Sequence, residues 1–62
     1  MDIKQALDMA MQEELKAAEK YRTLARDAVD TETRLLFEQL AREEDMHYRK
    51  LSERLKAIRL MG

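Results

Sequence analysis

Three side chains offer chemistry in this sequence: Glu14, Glu44 and His47. Each occupies a place on a helix-spaced stripe where an apolar residue belongs. Steps of three and four read Ile3, Leu7, Ala10, Glu14, Ala17, Tyr21, Leu24 and Ala28 in the first half. The second half reads Phe37, Leu40, Glu44, His47, Leu51, Leu55 and Ile58. Both stripes are expected to face inward. A carboxylate buried there without a partner costs several kcal/mol even after relaxation. A compensating positive charge is therefore required.

The elements that must position these groups follow from composition. Ala, Leu, Glu, Lys, Arg, Gln and Met dominate, and these are the strongest helix formers. No Pro occurs and Gly62 is the only Gly, so the usual turn punctuation is missing. Aromatics are limited to Tyr21, Phe37 and Tyr48, which argues against strands. Asp2 and Gln5 have the spacing of a capping box that opens a first helix. Asp30 or Thr31 can cap a second helix, with Glu32 in the turn where the helix dipole favours an anion. The sequence thus predicts a helix over about 3–27, a turn at about 28–31 and a helix over about 32–60, one half-bundle domain spanning 1–62. A short connection makes the pair an antiparallel hairpin. The fold class is all-α.

Such a hairpin sets the three groups at one height. Glu14 and Glu44 lie fifteen residues to either side of Val29, so equal rise per residue makes them level. His47 follows Glu44 by three residues and shares its face.

A chain of about 60 residues buries only roughly 60% of its unfolded surface and normally needs disulfides, metal or partners. There is no cysteine, so metal and partners remain. Twelve Lys and Arg against thirteen Asp and Glu give a net charge of -1, and neither nucleic acid nor membrane is expected as a partner. No apolar run reaches the roughly 20 residues of a transmembrane helix. No secretory signal pattern opens the chain, and a cytoplasmic location is expected.

Two hairpins packed together make a four-helix bundle, so a homodimer at least is expected. Doubling Glu14, Glu44 and His47 gives four carboxylates and two imidazoles at one level. Two metal ions would neutralise that cluster. Oxygen and imidazole ligands without thiolate suit iron or manganese, with zinc as a substitute. Di-iron carboxylate bundles use this set, a Glu from each of two helices and Glu-x-x-His from each of the others.

The residues around these positions also resemble a known family. Glu14-Leu-Lys-Ala-Ala-Glu-Lys-Tyr21 is similar to the first-helix motif of the ferritin-like superfamily. Leu40-Ala-Arg-Glu-Glu-Asp-Met-His47, followed by Leu51, resembles the second-helix motif of rubrerythrins. The half-size layout is similar to that of encapsulated ferritins, whose hairpins dimerise to complete a di-iron site and then form rings. The resemblance implies that Glu14, Glu44 and His47 ligate iron, with Tyr21 as the aromatic beside the site. It implies oxidation of Fe(II) to Fe(III) by O2 or peroxide, for storage or detoxification. It also implies a shell protein as a candidate partner and a nanocompartment as the setting. Ala17 stands where rubrerythrins place a further Glu. Lys16 and Lys20 stand where encapsulated ferritins tend to carry an acid and an aromatic.

Two rival readings follow from the same residues. In one, the Glu–His cluster merely fixes the register of a non-enzymatic dimerisation module. In the other, the bundle holds metal without turnover. Met9, Met11, Met46 and Met61 read as fillers of irregular contacts rather than ligands. Leu35, Met9 and Met46 read as outward, which predicts an assembly above the dimer.

Overall fold

The computed structural model describes residues 1–62 as two antiparallel helices, α1 over Ile3–Asp27 and α2 over Thr31–Leu60. No strand is present. Both helix starts are explained by their caps. Asp2 accepts from the Gln5 backbone N–H at 2.8 Å while the Gln5 side chain accepts from the Asp2 N–H at 3.1 Å. Asp30 caps α2 by accepting from the Thr33 N–H at 2.9 Å and the Thr33 hydroxyl at 2.6 Å. Those two hydrogen bonds hold the Asp30 carboxyl below its ordinary value of 3.8. Thr31 is thus the first residue of α2, and Asp30 rather than Thr31 is its cap.

The dry seam between the helices is made by Met11, Ala18 and Ala25 on α1 and by Ala41 and Leu55 on α2. Met11, Ala18 and Ala25 recur every seven residues, the period that keeps one helix seated on another. Three of the five are alanines, so the helix axes approach closely.

This seam departs from the expected stripe. Of the stripe residues only Leu55 is fully buried, while Ile3 and Leu24 are exposed. Residues such as Leu7, Ala10, Ala17, Tyr21, Phe37, Leu40, Leu51 and Ile58 are half-buried. The reason is geometric. At 100° per residue Glu14 sits about 40° and Leu24 about 120° around α1 from Ala18. The apolar arc is wider than one partner helix can cover, and the uncovered part forms an open face. Met9, Leu35 and Met46 are exposed as well.

The pair is a slab with extents of 49 × 17 × 10 Å. Its radius of gyration is 14.5 Å, whereas a compact domain of this length has about 10.6 Å. No helix is long and apolar enough to cross a membrane.

Candidate metal centre

Glu14 reaches the open face from the middle of α1, and Glu44 and His47 reach it from α2. His47 Nδ1 lies 3.3 Å from Glu14 Oε2 and 3.7 Å from Glu44 Oε1. One donor atom from each of the three falls within 4.8 Å of the others. Residues 30 or more apart in the chain thus converge because Tyr21 and Phe37 fix the hairpin register nearby. Their rings stack with centroids 6.2 Å apart and planes at 20°, eight residues to either side of Val29.

The two carboxylates are mostly covered, with side chains 24% exposed at Glu14 and 20% at Glu44, while His47 is half exposed at 51%. No Lys or Arg forms an ion pair with either acid, although the chain has twelve such cations. Two acids this close favour the protonated form of Glu44. A hydrogen bond from Glu44 to Glu14 pushes the Glu44 carboxyl above its ordinary value of 4.5. Desolvation and the Glu14 charge push it the same way, against a smaller opposing effect of His47.

These donors fit a divalent cation. Two oxygens and one nitrogen converge, no Lys or Arg pairs with them, and a +2 ion would offset the two carboxylate charges. His47 would ligate through Nδ1, the ring nitrogen that faces both acids. Its Nε2 makes no hydrogen bond within the chain.

Tyr21 stands apart from this cluster. It lies seven residues, about 10 Å of helix rise, from Glu14. Its ring packs on Phe37, with Lys20 Nζ 5.0 Å from its centroid, and it makes no hydrogen bond to the three donors. Of the neighbouring acids, Glu13 pairs with Lys16 at 3.5 Å and Glu43 accepts from Gln39 at 3.2 Å. Neither joins the cluster.

Asp45, next in sequence to Glu44, matters in a way the sequence did not signal. It forms an ion pair with Arg22 across the seam, on the side opposite the cluster. The partners are 23 residues apart, and no local spacing marks them.

No curated protein and no solved structure matches the chain. The rubrerythrin family profile matches residues 1–60, a span that holds both helices, the Glu14–Glu44–His47 cluster and its supports. The chain therefore belongs to the rubrerythrin family.

Proposed function

We propose that two copies of this half-bundle pair through their open faces, and that the completed centre oxidises Fe(II) to Fe(III) with O2 or peroxide. The convergence of Glu14, Glu44 and His47 on one level carries this reading. Membership of a family of di-iron carboxylate domains supports it. So does the surface left uncovered: a compact 7.4 kDa monomer exposes roughly 4200 Å², and this chain exposes 4875 Å².

Each copy would contribute two carboxylates and one imidazole, giving six protein ligands for two ions. When bound, the iron pair supplies two electrons, one per ion, which with two protons convert O2 to hydrogen peroxide or peroxide to two waters. The protein's part is to hold and to yield charge. Glu44, whose protonated form is favoured beside Glu14, would lose its proton to make room for a cation. Both carboxylates would hold the ions from flexible two-methylene stems. His47 would hold one ion through Nδ1 from the face of α2.

Aerobic addition of Fe(II) to the purified chain tests this. Near-ultraviolet ferric absorbance should develop far faster than in buffer, with about one metal per chain by elemental analysis. Glu44→Ala and His47→Ala should abolish both signals while leaving helicity intact. A chain that takes up no metal, and whose stability chelator does not change, would instead be a helical dimerisation module.

A further inference from the structure

The side of the seam opposite the acidic cluster carries a second charged feature, of opposite sign. A hollow of about 290 Å³ between the helices near the turn is lined by Arg22, Ala25, Arg26, Arg34 and Glu38. Three guanidiniums and one carboxylate therefore share it. The chain as a whole is slightly acidic, so this excess is local. A neighbouring hollow further along the same side is balanced, with Asp45 and Glu53 against Arg49 and Lys56.

Partners within the chain leave most of the donors free. Arg22 pairs with Asp45, Arg34 lies 3.7 Å from Glu38, and Arg26 donates to the Thr23 hydroxyl at 3.1 Å. Each uses one of five guanidinium N–H groups for its recorded partner. Their placement is also costly for helices alone. Arg22 and Arg26 are like charges at i,i+4, a destabilising spacing. Arg34 sits at the fourth position of α2, by the pole of the helix dipole that disfavours a cation. Ala25, buried and small, adds no bulk to the lining of this hollow.

We infer that this hollow binds a phosphate-class oxyanion held by Arg22, Arg26 and Arg34. Planar guanidiniums grip tetrahedral oxyanions through paired N–H groups, which an ammonium cannot do. A bound dianion removes the repulsion among the three cations. The donor set is the same for free orthophosphate and for a terminal phosphate of a larger molecule. The site lies across the seam from the iron ligands, and phosphate binding there needs no metal.

Calorimetric titration of the chelator-treated full chain with inorganic phosphate, in chloride buffer at constant ionic strength, tests this. Saturable binding of one phosphate per chain is expected. Arg26→Gln and Arg34→Gln should each weaken it at least about fivefold, and Arg26→Lys should weaken it by a similar order because charge remains but the fork is lost. Lys56→Gln, in the balanced hollow, should change it less than about twofold. All three positions are exposed or half-exposed, and circular dichroism should show each of the four variants folded. Pyrophosphate in a parallel titration separates the sources: tighter binding than orthophosphate points to a larger phosphorylated ligand, equal binding to the free ion. Heats no greater than those of added chloride, or an Arg26→Lys variant as tight as the parent, would overturn the inference.

Discussion

Arg22 and Asp45 are joined by a diagonal strut across the hairpin. Arg22 precedes Val29 by seven residues and Asp45 follows it by sixteen. The offset of nine residues is about 13 Å of helix rise. Side chains lean toward the start of their own helix, so in an antiparallel pair these two lean toward each other. A diagonal tie resists sliding, and sliding is the motion that would separate Glu14 from Glu44. Both partners are about half exposed, at 49% and 44% of their side chains. Pairs this exposed contribute less than about 1 kcal/mol. Asp45→Ala should therefore barely change thermal stability yet weaken Zn(II) or anaerobic Fe(II) affinity several-fold. Arg22→Ala should match it, and the double variant should lose no more than either single, as a metal titration would show.

The proton on Glu44 predicts opposed pH trends for the empty and loaded protein. The folded state raises the Glu44 pKa, so it binds this proton more tightly than the unfolded chain does. Glu44's contribution to stability is then fully present below its ordinary value of 4.5 and is lost as pH rises through the folded value. Asp30 acts in reverse. Its lowered pKa gives stability above its ordinary value of 3.8 that is lost as pH falls through the folded value. Metal-free melts should show both slopes, and Glu44→Gln should flatten the upper one. Metal affinity should rise with pH across the Glu44 window, with proton release measurable in weakly buffered solution.

Replacing both acids together separates a structural cluster from a ligand set. The double variant Glu14→Leu/Glu44→Leu removes two mostly covered like charges from the open face and adds apolar area. The metal-free protein should become more stable, with metal uptake lost. A less stable double variant with a changed oligomeric state would mean that the acids serve chiefly to set register.

Ala41 is 2% exposed and lies one turn before Glu44. Ala41→Leu forces a larger side chain into the covered seam. Overpacking of this kind costs about 1–3 kcal/mol. Denaturant melts should report that loss. Metal affinity should fall with it, because splayed helices carry Glu14 and Glu44 apart.

How far the molecule could be read from its sequence depended on whether the signal was local. Asp2 with Gln5, and Asp30 before Thr33, announce helix starts within four residues, and both caps form. The convergence of Glu14, Glu44 and His47 was legible because a tight turn makes equal distances from Val29 equal heights. The seam was not legible. Alanine gives little hydrophobic signal, so Ala18, Ala25 and Ala41 were invisible beside Leu and Tyr. The stripe read from larger residues straddles the covered seam and the open face, and Leu24 was assigned inward although it is exposed. Arg22 and the arginines of the hollow carry no local signal, since only the folded pair shows which carboxylates they meet and that they share one hollow.

A body 10 Å thick has two skins and between them only Met11, Leu55 and three alanines. If two copies pair as proposed, folding and pairing become a single equilibrium, and the melting midpoint should depend on how much protein is in the tube. Tenfold dilution should then lower that midpoint by several degrees, and iron should raise it at every concentration by stabilising the folded pair.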